Sequence, residues 1–341
     1  IVHITLPNGP FWDGVHTDTD AFPAFGSANY DFGSGFSANL GLRLTHEKRD
    51  GFFPDRVFTV PGSISALYPA YTAQSLGLKS TDLDGSVGIQ YKPSSTILLF
   101  ASASRGTKGG TFLSAPTRPS TSLSPAETAE TFEGGAKVTL DGGFFNLTLF
   151  RTKISNLQQA PFNGSIFMND PRDVRSYGFE VAASYRLTDD LRAHGSVTYA
   201  HARNIAHAAH PGDDSRVINA PTWSGRVGLA YDRDVGSNLR FVANADLEFR
   251  SKVLFAPESA TAGYGTNPNV AVVPVGESFG KLNGRIGLGS ADERWEVALV
   301  GRNLTDKLTL GYAIPGTFQS GSAVGSADMP RTVMLQLNLK Y

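Results

Sequence analysis

No cysteine occurs anywhere in the sequence, which excludes a disulfide framework and thiolate metal sites. Methionine is nearly as scarce, at 3 residues. Neither sign of charge is in excess, with 30 basic against 31 acidic residues, so net charge points to no nucleic acid or anionic partner. No run approaches the roughly 18 apolar residues that a membrane-spanning helix requires. That last absence does not decide solubility, because barrel strands alternate apolar and polar residues and average to near-neutral hydropathy. The N-terminal stretch lacks a methionine, a basic region and an apolar signal core, from which one expects that processing or truncation removed what preceded Ile1.

What the sequence has instead is glycine (37 residues) and phenylalanine (22), a balance that favours β structure with many turns over a helical bundle. Alternation with period two runs along most of the chain. Phe36, Ala38, Leu40, Leu42 and Leu44 share one face of a strand, and Ser37, Asn39, Gly41, Arg43 and Thr45 share the other. From Leu239 the apolar series is Leu239, Phe241, Ala243, Ala245, Leu247 and Phe249, against Arg240, Asn244, Asp246, Glu248 and Arg250, with only Val242 out of place. These segments reach the 9–11 or so residues of a tilted membrane strand rather than the five or six of a soluble one. Charged residues of both signs on the polar faces suit a wet lumen.

Connections alternate between short and long. Short ones are expected at Asp31–Gly35, Lys92–Ser95, Asp141–Gly143, Thr188–Asp190, Asp232–Gly236 and Ser290–Glu293, all rich in turn residues. Long ones are expected over about 48–82, 106–126, 156–172, 203–220, 252–277 and 303–329. Short periplasmic turns and long outer loops give this rhythm. The expected fold is all-β, a transmembrane antiparallel up-and-down barrel with about thirteen strands present. The first strand is expected at about residues 20–31, with 1–19 as the end of an outer loop. An odd count does not close as a bacterial barrel of even strand number, so further strands are expected upstream.

Several stretches then resemble the TonB-dependent receptor family, in its usual order. They are Ala101–Phe112, with Arg105-Gly106 followed by Lys108 and the pair Gly109-Gly110; Pro125–Lys137; Asn146–Gln158; Ser176–Glu180; Asn303–Lys307; and Pro330-Arg331. Ala126 stands where the family usually has Glu. The last strand alternates Val333, Leu335, Leu337, Leu339 and Tyr341 with polar residues and resembles the C-terminal signal read by the barrel-assembly machinery, although Phe is the commoner last residue. The resemblance covers residues 20 to 341. It implies a plugged barrel of about 22 strands, of which these would be the C-terminal part, with the plug and its TonB-engaging segment not included. It also implies an outer-membrane location in a Gram-negative bacterium, in contact with lipid, as a monomer. The implied function is TonB-energised uptake of a scarce bulky ligand, a ferric siderophore by default, with cobalamin or an oligosaccharide open.

Candidate ligand contacts are few. Arg105 and Lys108 stand where a strand passes into an outer loop and could meet an anionic chelate; wall and rim positions are polar in any barrel. His201, His207 and His210, followed by Asp213 and Asp214, place imidazoles and carboxylates on one loop. Their spacing follows no recognised metal-ligand pattern, so no metal site and no cofactor are expected, while contact with a ligand through an outer loop stays open. His194 reads as a wall residue, and Trp223, Tyr199 and Tyr231 as interfacial aromatics. No Gly-x-Ser-x-Gly, His-Glu-x-x-His or phosphate-loop motif is present, so no catalytic residue is named. A smaller passive channel, a barrel hydrolase and a soluble β-sandwich remain as alternatives.

Overall fold

A computed structural model describes residues 16–55, 71–112, 123–161, 169–208, 210–256, 274–316 and 322–340. Among them there is strand, turn and bend but no helix, and so none long and apolar enough to cross a membrane. The first strands are β1 (His16–Gly33), β2 (Phe36–Phe53), β3 (Gln74–Ser94), β4 (Ile97–Lys108), β5 (Thr111–Phe112) and β6 (Leu123–Ser124). Next come β7 (Glu127–Leu140), β8 (Gly143–Leu157), β9 (Arg172–Arg186), β10 (Leu191–Ile205), β11 (Trp223–Val235) and β12 (Leu239–Arg250). The last are β13 (Val253–Leu254), β14 (Val275–Gly276), β15 (Phe279–Ser290), β16 (Trp295–Arg302), β17 (Leu310–Pro315), β18 (Ala323–Ala327) and β19 (Thr332–Leu339).

Thirteen of these form a single antiparallel sheet in the order β1-β2-β3-β4-β7-β8-β9-β10-β11-β12-β15-β16-β19. Each strand pairs with its predecessor and successor along the chain, the up-and-down arrangement that the alternating connections predict. Among the described residues β1 and β19 are the two edges and do not pair with each other. The remaining short strands make two-stranded ribbons, β5-β6, β13-β14 and β17-β18, each within one of the long connections.

Register shows why alternation folds this way. Leu40 lies opposite Val87 and Ala28, and Leu42 opposite Gly85 and Gly26, so apolar residues meet apolar or small residues across strands on one face. Further round, Val181 lies opposite Leu147 and Val197, and Ile286 opposite Ala243 and Leu299. A slip of one residue would send every side chain of a strand to the wrong face, which is what pins the register. The apolar face is exposed, with Leu149 at 55% and Leu299 at 53%.

The buried residues lie mainly elsewhere. Val253, Phe255 and Ala313, with Leu310 against them, form a small apolar core among the ribbons of the long connections. Phe53 meets Phe112 edge to face at 5.9 Å, tying the end of β2 to β5. The long connections are therefore partly folded structure rather than bare loops.

Boundaries shift in three places. The connection expected over 48–82 is shorter, because β2 runs on to Phe53 and β3 starts at Gln74. Beyond His46 the two strands keep pairing, Glu47 with Ser80 and Lys48 with Lys79, with no apolar series to mark them. The turn expected at Asp232–Gly236 falls after Val235, since Asp232, Arg233 and Asp234 continue the ladder against Val242, Phe241 and Arg240. β1 likewise starts at His16 rather than near residue 20, and residues 1–15 of the expected outer loop lie outside the described residues.

Candidate functional site: the rim of the long connections

The motif residues gather at junctions where strands leave the sheet. Gln158, at the end of β8, donates through Nε2 to the carbonyls of Gly109 (2.9 Å) and Pro125 (2.8 Å). Its backbone N–H donates to Glu127 Oε2 at 2.8 Å, and Asn156 Nδ2 donates to the Ala126 carbonyl at 3.3 Å. One amide side chain thus satisfies carbonyls from the segments on both sides of the β5-β6 ribbon, an arrangement that buried backbone requires. Ser124 within that ribbon is fully buried.

A second junction is built on Asn303, 4% exposed and with φ of 49°. Its Oδ1 accepts from the Lys307 N–H at 3.0 Å, and its Nδ2 donates to the carbonyls of Lys307 (3.0 Å) and Met329 (3.3 Å). Asn tolerates the left-handed region because its short amide bonds locally. Asp306, at φ of 51°, pairs with Arg331, which opens the last strand.

Between these junctions lies a charged knot that no local motif announces. Arg172, 4% exposed at the start of β9, reaches Asp170 at 2.9 Å and also bonds Asp213. His210 Nε2 lies 2.7 Å from Asp170 Oδ1. The Asp213 carboxyl is pushed up by burial, but hydrogen bonds from Ser215 and Arg172 more than offset this and hold it below the usual carboxylate range. The knot joins the connection after β8 to the one after β10, with the buried guanidinium held between two carboxylates, as burial of a charge demands.

At the opposite end of the sheet the short turns are tied together. Arg240 bonds Asp232 and Glu293, and Lys340 reaches Glu293 at 2.7 Å, linking β12, the turn before β16 and the end of β19.

The candidate contacts do not converge on one pocket. Arg105 and Lys108 end on opposite faces: Arg105 lies opposite Gly85 and Glu130 on the apolar face and donates to the Leu83 carbonyl at 2.7 Å, whereas Lys108 lies opposite Glu127, 3.9 Å away. His201 also belongs to the apolar face and stacks on Tyr177 at 5.1 Å. His207 and His210 pair through their backbones, with rings 6.4 Å apart. Among the described residues no group of three or more His, Cys, Asp or Glu could hold a metal ion. Val333, Leu335, Leu337 and Leu339 line one face of β19, and Tyr341 lies outside the described residues. His194 is on the polar face beside Gly228, and the aromatics cluster in two sets. Tyr199 and Trp223 (4.8 Å) adjoin Phe179 toward the long connections, and Tyr231 and Phe241 (6.0 Å) stand toward the short turns. Sequence reasoning missed Asp170 and Arg172, whose meeting with Asp213 depends on the pairing of β9 with β10.

Residues 3–304 match the family model described as TonB dependent receptor-like, beta-barrel. The chain belongs to this family. It is 28% identical over 248 residues to the metal-pseudopaline receptor CntO of Pseudomonas aeruginosa, a match covering 66% of this chain and 33% of that protein. The fold is similar to that of the ferric yersiniabactin uptake receptor FyuA from Yersinia pestis, with a TM-score of 0.73, 13% identity, and coverage of 96% of this chain and 46% of the other. It is also similar to the siderophore receptor PiuA from Acinetobacter baumannii, with a TM-score of 0.67, 17% identity, and coverage of 95% and 44%. The chain thus spans under half the length of these relatives. The family is described as receptor-like, and each of these similar proteins is named as a receptor. Two of the sequence motifs, those ending in Gln158 and opening at Asn303, are hydrogen-bonded strand-to-loop junctions.

Proposed function

We propose that this chain is the barrel wall and outer rim of an outer-membrane receptor that takes up a chelated metal, a ferric siderophore or a related metallophore, with energy relayed by TonB. The observation that carries the reading is the family match across residues 3–304. The class of ligand follows the relatives: the similar proteins are receptors for a metal-pseudopaline complex, ferric yersiniabactin and a siderophore. Cobalamin or an oligosaccharide is the second reading of the ligand.

In this proposal the apolar face meets lipid, and the polar face lines a wet lumen. The long connections face outward and capture the ligand, with Lys108 on the polar face and His207 and His210 on the connection after β10. Arg105 and His201, on the apolar face, are less suited to that role. The alternating last strand, ending in Tyr341, serves as the signal for the barrel-assembly machinery. TonB engages a part of the receptor beyond this chain, and the protein works as a monomer.

The test uses the full-length receptor in its native outer membrane. Accumulation of a radiolabelled ferric or zinc metallophore that disappears when either the receptor or TonB is deleted supports the proposal. Uptake that persists without TonB, or a receptor recovered in the aqueous fraction without detergent, overturns it.

A further inference from the structure

The pairing register stacks three cations side by side on the apolar face of the sheet. Lys153 of β8 lies opposite Arg175 of β9, and Arg175 lies opposite Arg203 of β10. Two residues nearer the middle of β8, on the same face, stands Arg151. Directly opposed side chains on one face have Cβ atoms about 4.5–5.5 Å apart, and like charges so placed destabilise a sheet. Lys153, Arg175 and Arg151 are exposed, and among the described residues none of the three has an ion-pair partner. Among the described residues the Arg203 side chain donates to the Asp214 carbonyl, at 3.3 Å, and to no carboxylate. Two acids share the neighbourhood. Glu130 lies opposite Lys153 and also opposite Arg105, so one carboxylate faces two cations. Asp173 is engaged by the backbone N–H of Asn156 at 2.9 Å. The patch keeps a net positive charge.

Its position on the strands is as informative as its charge. The next row toward the middle of the sheet holds Phe132, Arg151, Tyr177 and His201, and the row after it Leu149, Phe179, Tyr199 and Trp223. Below these come Leu147, Val181 and Val197, wholly apolar. Aliphatic residues, then aromatics, then cations is the order of a surface crossing from hydrocarbon through the interface to headgroups. The cations lie toward the long connections, on the ends of β8, β9 and β10 remote from the short turns. A column of like charges at that level is stable when an anion sits across it, and guanidinium groups bind phosphate oxygens two at a time.

We propose that Arg151, Lys153, Arg175 and Arg203 form a site on the outside of the barrel for a phosphorylated glycolipid of the outer leaflet. The phosphates bridge the three strands, and the acyl chains lie along Phe179, Leu149 and Val181. This rests on the outer-membrane reading above, but concerns a face that takes no part in ligand uptake.

The test uses the full-length receptor purified in a neutral detergent, with binding of lipid A read by native mass spectrometry. Three probes are compared: the bisphosphorylated lipid A, its dephosphorylated form, and inorganic phosphate as competitor. The receptor should retain the bisphosphorylated lipid roughly tenfold better than the dephosphorylated one, and the K153Q/R175Q double variant should lose that preference. R226Q, on the polar face opposite Ser196 and Glu248, should keep it. Competition by millimolar inorganic phosphate to the same extent as by lipid would show a free-anion site and overturn the lipid assignment, as would equal retention by K153Q/R175Q. Cold gel mobility of each variant reports folding separately, and where the double variant does not fold, the single R175Q decides by the same ratio. Aqueous recovery without detergent would sink the membrane reading itself, whereas a detergent-requiring receptor with no phosphate preference would sink this inference alone.

Discussion

Asp306 Oδ2 lies 3.2 Å from Arg331 Nη2, joining the residue that turns the chain out of β16 to the residue that leads it back into β19. Both side chains are about half exposed, at 52% and 51%. An exposed pair of this kind contributes less than about 1 kcal/mol. D306N should therefore shift unfolding in detergent only slightly. Asn303, whose amide bonds three backbone groups of the same connection, should matter more. N303A leaves buried backbone groups unsatisfied and keeps a positive φ without the amide, at a cost of about 2–4 kcal/mol. Equal losses of thermal stability in the two variants, followed by tryptophan fluorescence, would refute this ranking.

The Arg172 knot gives a prediction of opposite character. R172L leaves the Asp170 and Asp213 carboxylates buried without their cation, and breaking such a set costs on the order of 3–5 kcal/mol. The effect should be local, opening the connections after β8 and β10 to protease while the sheet holds. Cleavage no faster than in the parent would show that the knot fixes nothing.

A pH dependence follows from Asp213. Its folded pKa lies below that of the unfolded chain, so its contribution to stability is complete above the ordinary carboxylate value, about 3.9. It is lost as pH falls through the lower folded value. Proteolysis of the connection after β10 by an acid protease should accelerate as pH drops from about 5 to about 2. The R172L variant, already open, should show a flatter profile.

Glycine at position 178 is set by space. A Cβ there would come 1.8 Å from the Tyr199 carbonyl oxygen, which belongs to backbone and has no room to give. G178A should fail to reach the compact, heat-modifiable form. G106A, with nothing within 4 Å of the added atom, should reach it normally. Comparable folding yields for the two variants would contradict the close approach.

The two aromatic clusters predict where lipid sits. Trp223, beside Tyr199, and Trp295, opposite Leu339, both lie on the apolar face at different ends of the sheet. In the full-length receptor with every tryptophan other than Trp223 and Trp295 replaced by Phe, both should be quenched by brominated lipids in vesicles. Quenching by aqueous acrylamide instead would place that face in water.

How much of this was legible in the sequence follows from how far each signal reaches. The thirteen-stranded sheet could be read because period-two alternation is local and repeats in every strand, as in the series from Leu239 to Phe249. The extension of β2 past His46 could not, because outside the apolar band the ladder needs only backbone pairing, and Lys48 opposite Lys79 carries no hydrophobic mark. Motifs such as Asn303–Lys307 were visible as patterns, but their purpose as hydrogen-bonded junctions appears only when Met329 and Arg331 come back beside them. Arg105 and Lys108 looked like one site because they are close in sequence, yet a spacing of three residues on a strand sends them to opposite sides. The partnership of Arg172 with Asp213 spans 41 residues and is set by register, which composition does not encode.

The order of the large sheet also bears on how such a wall changes size. Because each strand touches only the two that flank it in the chain, a hairpin is a complete unit: removing or inserting one leaves every other pairing as it was. A wall of this kind widens or narrows by duplication or loss of adjacent pairs, with no rewiring of distant contacts. The long connections carry no such freedom. Gln158 ties the end of β8 to the connection after β4, and Arg172 ties the connection after β8 to the one after β10, so the rim, and not the wall, is where a change in strand number would meet resistance.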